Sequence, residues 1–234
     1  MSKLAVVTGG TRGIGRAIIE KFAFAGFDIV TCSRKQEELE SLKKTLATAY
    51  PVRVEVFAGD ISIRTQAKSF TDFVMQLGRP VDVLVNNAGL FTPGLITSEP
   101  VGVLESMLGS NLYSAYYTTR GLAPDMMKRR SGHIFTLCSI ASIKVYPNGG
   151  SYAISKFALL GFSKVLREEL KEHGIRVTAV LPGATRTSSW DAVELPEERF
   201  IKPEDVADAV YGAYALSPRS VVEEILIRPQ LGDI

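Results

Sequence analysis

The chain has 234 residues and a formal net charge of +2, from 27 basic and 25 acidic residues. The length suits one α/β domain, and the scattered basic residues exclude an extended nucleic-acid footprint. Cys32 and Cys138 lie in or at the end of apolar runs, so we expect reduced thiols and no disulfide. No apolar stretch approaches the roughly 18 residues of a membrane span. We expect a soluble, cytoplasmic protein with no metal site and with neither nucleic acid nor membrane as a partner.

Seven short apolar runs alternate with helical patterns along the chain. The runs cover residues 4–7, 28–32, 52–57, 81–85, 133–138, 175–181 and 224–228. Strands separated by helices are typical of a doubly wound parallel sheet with helices on both faces. No linker, repeat or low-complexity tract divides residues 1–234, so we predict a single α/β domain.

A glycine-rich turn follows the first of these runs. Gly9, Gly13 and Gly15 precede a helical pattern over residues 16–24. Such a turn lets backbone N–H groups approach a pyrophosphate, which the positive end of the helix also attracts. By itself the turn is weak evidence, because glycines at such turns often serve chain reversal only.

A tyrosine and a lysine, Tyr152 and Lys156, lie four residues apart in a helical pattern. They share one helix face, so the ammonium would stabilise the ionised phenol. Together with the glycine-rich turn, this pair indicates dinucleotide binding and acid/base chemistry at a carbonyl or alcohol. The alternative is an ordinary interfacial helix face.

Polar residues also follow the fourth and fifth predicted strands. Asn86-Asn87-Ala88-Gly89 and Ser139 would lie at the carboxyl edge of the sheet, where ligands bind. An asparagine pair alone could form an Asx turn, and a lone serine could cap a helix. Their significance comes from the company of Tyr152 and Lys156.

The ordered set of motifs resembles that of the short-chain dehydrogenase/reductase family over essentially the whole chain. The set comprises Thr8 to Gly15, Asp60, Asn86 to Gly89, Asn111, Ser139, Tyr152 with Lys156, and Pro182-Gly183 with Thr187. The resemblance implies a Rossmann-type sheet, a dimer or tetramer, and NAD(P)(H)-dependent carbonyl reduction or alcohol oxidation.

The resemblance also implies four catalytic residues. Tyr152 would be the general acid, and Lys156 with the oxidised nicotinamide ring would lower the phenol pKa from about 10. Lys156 would also bind the nicotinamide ribose. Ser139 would orient and polarise the substrate oxygen. Asn111 would hold a water that joins Lys156 to solvent.

The resemblance further implies a cleft for NADP(H). Asp60 and Ile61 would meet the adenine, and Thr185 and Thr187 the carboxamide. The full predicted set is Gly9, Thr11, Arg12, Gly13, Ile14, Gly15, Ser33, Arg34, Asp60, Ile61, Asn87, Ala88, Gly89, Tyr152, Lys156, Pro182, Gly183, Thr185 and Thr187.

The choice of NADP over NAD depends on the end of the second strand. No ribose-binding carboxylate is present near Ser33, whereas Arg34 and Arg12 would face a 2′-phosphate. The alternative is that Arg34 is a solvated residue at the start of a helix.

Residues 188–202 are predicted to form a substrate lid. Trp190 would give a flat apolar wall for a planar heterocycle, and Asp191 or Glu194 would accept its N–H donors. Ser139, Trp190 and Asp191 are the predicted substrate contacts. Trp190 and the tail at 221–234 look similar to bacterial sepiapterin-reductase-like members and to short-tailed alcohol and hydroxy-acid dehydrogenases. The alternative is that Trp190 only packs the lid onto the core.

The predicted function is NADPH-dependent reduction of a small-metabolite carbonyl, with a pteridine side-chain ketone such as sepiapterin as one candidate. A short-chain alcohol or hydroxy-acid dehydrogenase is one alternative. A 3-oxoacyl-carrier-protein reductase is another, for which the basic cluster Lys128-Arg129-Arg130 would meet an acidic carrier. A solvated helix end explains that cluster equally well. A nucleotide-sensing module without chemistry is also compatible with the fold, although the four catalytic residues argue against it.

Two helical segments, at 101–128 and 152–170, carry apolar residues on more than one face. A helix that is apolar nearly all round is buried nearly all round. We therefore expect a homodimer or homotetramer.

Overall fold

The computed structural model describes residues 2–190 and 194–234. These residues form one parallel sheet with the strand order β3-β2-β1-β4-β5-β6-β7. The strands are β1 Leu4–Thr8, β2 Asp28–Ser33, β3 Val54–Ala58, β4 Val83–Asn86, β5 Gly132–Leu137, β6 Ile175–Pro182 and β7 Glu224–Ile227. Each predicted strand is present with ends that agree to within two residues, which confirms the doubly wound, Rossmann-type α/β fold.

Seven α-helices flank the sheet within the described residues. They are α1 Gly13–Phe24, α2 Gln36–Ala49, α3 Arg64–Gln76, α4 Val103–Leu108, α5 Ser114–Arg129, α6 Gly150–Leu170 and α7 Pro203–Ala215. A π-helical turn, Gly109–Tyr113, joins α4 to α5. The predicted helical segment at 101–128 is therefore helical throughout most of its length but is not one regular helix. None of the helices in the described ranges is long and apolar enough to cross a membrane.

Two apolar cores hold the helices against opposite faces of the sheet. Alternate residues of β1 point to opposite faces, so Val7 packs with α1, α2 and α7, and Val6 packs with α3, α5 and α6. All five residues of β1 are buried. Burial on both faces explains why the strand sequences are apolar runs and not alternating patterns.

The position of the site follows from the strand order. β1 lies between β2 and β4, so the chain builds one half of the sheet outward from β1 and then crosses to β4 to build the other half. Loops that leave the carboxyl ends of β1 and β4 run in opposite directions and open a crevice between them. Thr8 ends β1 and Asn86 ends β4, so the two predicted motifs meet there.

One face of α6 stays uncovered in a single subunit. Leu159 and Leu166 are buried, whereas Ile154, Phe157 and Val165 are 41%, 45% and 58% exposed. The expected burial nearly all round this helix is therefore incomplete within one subunit. The three exposed side chains form one apolar stripe along α6.

Candidate active site

The glycine-rich turn packs tightly against the end of β4. Gly9 and Gly13 have φ angles of +68° and +56°, which side chains rarely adopt. A Cβ atom on Gly15 would overlap Asn87 Nδ2 and lie 2.5 Å from the Gly9 carbonyl oxygen. These positions therefore require glycine for conformation or for space.

A hydrogen-bond network between Thr8 and Asn87 holds this turn in place. Thr8 Oγ1 accepts from the backbone N–H groups of Asn87 and Ala88, both at 3.0 Å. Asn87 Nδ2 donates to the carbonyl oxygens of Thr8 and Gly9 at 2.9 and 3.0 Å. Asn87 thus joins the two halves of the crevice, a structural role beyond its predicted place among the cofactor-binding residues.

The N-terminus of α1 fits an anionic group. Its capping residue, Arg12, makes no side-chain hydrogen bond to the first turn, and no acidic residue lies in that turn. The first backbone N–H groups of a helix have no partner inside the helix and favour negative charge. This end of α1 therefore fits the pyrophosphate that the sequence predicts there.

A cleft of about 320 Å³ extends from this turn along the ends of β2 and β3. It is lined by most residues of the predicted cofactor set: Gly9, Thr11, Arg12, Gly13, Ile14, Gly15, Ser33, Arg34, Asp60, Ile61, Asn87, Ala88, Gly89 and Thr187. One carboxylate oxygen of Asp60 is already engaged within the protein, because Oδ1 accepts from the backbone N–H and the hydroxyl of Ser62.

The same cleft contains two charged residues that sequence reasoning missed. Lys35 pairs with Glu38 at 2.8 Å, and the Thr11 hydroxyl donates to Glu38 at 3.1 Å. The hydrogen bond from Lys35 is the main reason that the pKa of Glu38 is lowered. Lys35 directly follows Arg34, so its position beside the predicted arginine could have identified it as a residue of the cleft.

A second cleft, of about 390 Å³, adjoins the first. It is lined by the remaining predicted cofactor residues, Tyr152, Lys156, Pro182, Gly183 and Thr185, and by the predicted substrate contacts Ser139 and Trp190. Ile14, Asn87, Gly89 and Thr187 line both clefts. Because they share this wall, the clefts can hold the two ends of one elongated ligand.

Tyr152 and Lys156 both face the second cleft. Burial raises the pKa of Tyr152, and the Ser139 hydroxyl offsets part of that rise. Burial also lowers the pKa of Lys156 to about 8. Lys156 Nζ lies 5.8 Å from the centroid of the Tyr152 ring. Nζ donates to the Leu137 carbonyl oxygen at 2.7 Å.

Ser139 is prepared to act as a hydrogen-bond donor. Its Oγ accepts from the backbone N–H of Ala141 at 3.1 Å, and its own N–H donates to Ser142 Oγ at 3.2 Å. These bonds form a capping box for the short helical turn at Ile140–Ser142. The Ser139 hydroxyl also interacts with the Tyr152 phenol, so both groups face the same part of the cleft.

Asn111 lies behind the second cleft and does not line it. It sits in the π-helical turn, where its Nδ2 donates to Ser155 Oγ at 2.8 Å and to the Leu90 carbonyl oxygen at 3.0 Å. Ser155 Oγ donates in turn to the Tyr152 carbonyl oxygen at 2.7 Å. A π-helical turn within an α-helix is a frequent feature of functional sites.

The predicted lid is described only in part, because Asp191 lies outside the described residues. Trp190 lines the second cleft and also packs edge-on against Phe200, with ring centroids 5.5 Å apart. Glu194 is exposed. Among the described residues, Asp233 is the acidic side chain that lines the cleft, and it already accepts from Arg228 and Lys144.

Sequence reasoning also missed several residues of the second cleft. They are Leu90, Phe91, Ile140, Lys144, Tyr146, Asp233 and Ile234. Phe91 follows the Asn-Asn-Ala-Gly motif by two residues, so its place in the chain offered a signal. Asp233 had none, since only tertiary structure brings the tail to the cleft. No group of three metal-ligating side chains occurs among the residues described.

Comparisons with known proteins agree with this geometry. The family model described as short chain dehydrogenase matches residues 3–198. Sepiapterin reductase of Chlorobaculum tepidum is 32% identical over 242 aligned positions, which cover 100% of this chain and 99% of that protein.

Two solved structures show the same likeness in three dimensions. A metagenomic short-chain oxidoreductase in complex with NADP is 31% identical with a TM-score of 0.86, and 97% of each chain is covered. L-Sorbose reductase from Gluconobacter frateurii, complexed with NADPH and L-sorbose, is 27% identical with a TM-score of 0.90. That match covers 97% of this chain and 95% of the other.

Proposed function

The chain belongs to the short-chain dehydrogenase family of NAD(P)-dependent oxidoreductases, and on this premise we propose that it reduces the carbonyl group of a small metabolite with NADPH. The observation that carries the proposal is the second cleft, where Ser139, Tyr152 and Lys156 surround one space. A hydroxyl donor, a protonated phenol and a buried amine meet there beside the wall shared with the first cleft.

The roles of these side chains follow from their environments. When bound, the nicotinamide cofactor supplies the hydride that adds to the carbonyl carbon. Ser139 holds the carbonyl oxygen by donating its hydroxyl proton to the substrate in place of Tyr152, and Tyr152 transfers its own proton to that oxygen. Burial raises the pKa of Tyr152, so the phenol is protonated at neutral pH, and the lowering expected from Lys156 is not found in the cofactor-free protein.

Lys156 and Asn111 support the proton transfer. Lys156 is buried beneath the cleft, and its pKa, lowered to about 8, lies close to neutral pH. A bound cofactor would give this ammonium ribose hydroxyl groups as partners. Asn111, bonded to Ser155 and Leu90, fixes the backbone around Tyr152.

The preference for NADPH is supported by the charges of the first cleft. Arg12 and Arg34 are exposed, line the cleft and, within residues 2–190 and 194–234, form no salt bridge. Lys35 is neutralised by Glu38, so these two guanidinium groups are the cations left to meet a 2′-phosphate. Solved relatives bind NADP or NADPH.

A pteridine side-chain ketone is the substrate we propose first. Phe91, Tyr146 and Trp190 give the second cleft aromatic walls suited to a flat ring. The similarity to sepiapterin reductase supports the same substrate class. Arg228 and Lys144 donate three hydrogen bonds to Asp233, and the lone pair left on Oδ1 is the acceptor for an N–H group of the ring.

The alternative of an acyl-carrier-protein substrate loses its main support. Arg129 pairs with Asp125 at 2.8 Å and donates to the Val81 carbonyl oxygen, and Arg130 donates to the Glu172 carbonyl oxygen. These residues precede β5, so they lie at the amino-terminal edge of the sheet, away from both clefts. The cluster has a structural explanation.

The experiment that tests the proposal combines a substrate panel with two variants. Oxidation of NADPH would be followed with sepiapterin, 2,3-butanedione, L-sorbose and an acetoacetyl thioester. Tyr152→Phe deletes only the transferable proton and should lower turnover by about 10²–10⁴ with unchanged NADPH affinity. Ser139→Ala should lower turnover in the same way. Native-like turnover of Tyr152→Phe would remove Tyr152 from the mechanism.

A further inference from the structure

The segment at residues 90–99, between β4 and α4, contacts the proposed catalytic side chains at its start. Leu90 N–H donates to Asn111 Oδ1 at 2.7 Å, and Asn111 Nδ2 donates back to the Leu90 carbonyl oxygen. The next residue, Phe91, packs edge-on against the Tyr152 ring with centroids 4.8 Å apart. This segment therefore holds Asn111 and one side of Tyr152.

The far end of the same segment reaches the N-terminus of α6. Glu99 Oε1 accepts from the backbone N–H of Ser151 at 3.0 Å, and Glu99 Oε2 accepts from the Ser151 hydroxyl. Ser151 directly precedes Tyr152. A carboxylate at this end of a helix satisfies a free N–H group and interacts favourably with the helix dipole.

α6 does not cap its own first turn. Its capping residue is Gly149, which has no side chain to accept a hydrogen bond. Asn148 and Gly150 have φ angles of +62° and +36°, so the chain turns sharply where the helix begins. The bond from Ser151 N–H to Glu99 supplies the cap that the local sequence lacks.

Close packing fixes Glu99 in this position. A Cβ atom on Gly150 would overlap Glu99 Oε1 and lie 2.5 Å from the Gly94 carbonyl oxygen. Gly94 N–H donates to the Asn148 carbonyl oxygen at 3.0 Å, and Glu99 N–H donates to the Leu95 carbonyl oxygen at 2.8 Å. The segment and the start of α6 are thus joined by one backbone hydrogen bond as well as by the carboxylate.

We propose that Glu99 is a positioning residue, which caps the first turn of α6 and thereby sets the location of the Tyr152 hydroxyl in the second cleft. The proposal rests on the proposed function, in which Tyr152 is the general acid. Glu99 acts through the helix backbone and through Ser151. A displacement of about 1 Å at a reacting group can cost about 10² in rate, so a small shift of this turn has a measurable effect.

The first test measures amide hydrogen exchange in the absence of any substrate. Glu99→Ala should accelerate exchange of the amides at residues 150–153 by at least about fivefold, as expected for loss of a helix cap. Glu99→Gln retains an acceptor oxygen and should give a smaller increase. Glu105→Ala, which removes an exposed carboxylate on α4, is the matched control. Native exchange rates in Glu99→Ala would overturn the capping role, whatever reaction the enzyme catalyses.

The second test places Glu99→Ala in a double-mutant cycle with Tyr152→Phe. Glu99→Ala should lower kcat at least about tenfold and leave the Kd for NADPH within about twofold. In the Tyr152→Phe background it should cause no further loss, because the proton it positions is absent. Equal losses in both backgrounds would show a general structural role and overturn the proposal. Native turnover in Tyr152→Phe itself would instead refute the proposed function.

Discussion

Lys156 Nζ donates to the carbonyl oxygen of Leu137 at 2.7 Å, which ties the end of β5 to the helix that carries Tyr152. The ammonium is held in a buried site beside the cleft, where burial lowers its pKa to about 8 from 10.5. A buried charge with few partners destabilises the fold. Lys156 therefore lowers the stability of the protein without cofactor.

We predict that Lys156→Met raises the melting temperature of the cofactor-free protein at pH 7. Because the pKa of Lys156 is lowered in the folded protein, the unfolded chain binds more protons than the folded chain between about pH 8 and 10.5. The stability of the native protein therefore rises with pH across that window. The difference in pKa corresponds to roughly 3 kcal/mol, so the advantage of the variant should shrink as pH rises toward 10. Thermal unfolding at pH 7 and pH 10 checks this. An equal shift at both values would contradict it.

The second prediction concerns cofactor preference. Arg34→Ala should weaken NADPH binding at least about tenfold more than NADH binding, because a charge-assisted pair with the 2′-phosphate is lost. Arg219→Ala removes an exposed guanidinium that lines neither cleft, and it should change neither affinity. Fluorescence titration with both cofactors measures the effect. Equal affinities of the native protein for NADPH and NADH would refute the assignment.

The third prediction concerns assembly through the exposed stripe on α6. Val165→Glu places a charge within the stripe formed with Ile154 and Phe157, and it should shift a dimer or tetramer toward smaller species. Thr45→Glu, on the exposed side of α2, is the control. Sedimentation velocity at micromolar concentration measures both. A native mass of one subunit would contradict the prediction.

The fourth prediction concerns Trp190, the only tryptophan of the chain. If its ring forms a wall for the substrate, sepiapterin should quench its fluorescence, and Trp190→Ala should raise KM several-fold with little change in kcat. The packing of Trp190 on Phe200 offers a purely structural alternative. A KM within about twofold of the native value would favour that alternative.

The fifth prediction concerns acid stability through His133, which is buried in β5. Its Nε2 lies 2.8 Å from Thr178 Oγ1, and burial lowers its pKa to about 3. The unfolded chain binds this proton below about pH 6.5, so stability should fall as pH decreases from there by up to about 1.4 kcal/mol per unit. His133→Leu should flatten this decline. His173→Asn, which alters the other histidine, should leave it unchanged.

The fold could be predicted from the sequence because burial on both faces makes each strand an apolar run. The carboxyl edge of a parallel sheet then collects the residues that end the strands, so Asn87 and Ser139 could be placed near the glycine-rich turn. Glu99 and Asp233 could not be placed. Each is a lone acidic residue without a pattern around it, and only tertiary contacts bring it to the site.

The contacts of Asn111 depend on the number of residues in the π-helical turn at Gly109–Tyr113 as well as on their identity. Successive residues of a helix are rotated by about 100°, so deletion of one residue, such as Ser110, could restore a regular α-helix. Such a deletion would rotate Asn111 away from Leu90 and Ser155 without changing the identity of any other residue. A one-residue gap in this turn of a related sequence should therefore remove the contacts of the asparagine, just as substitution of the asparagine would.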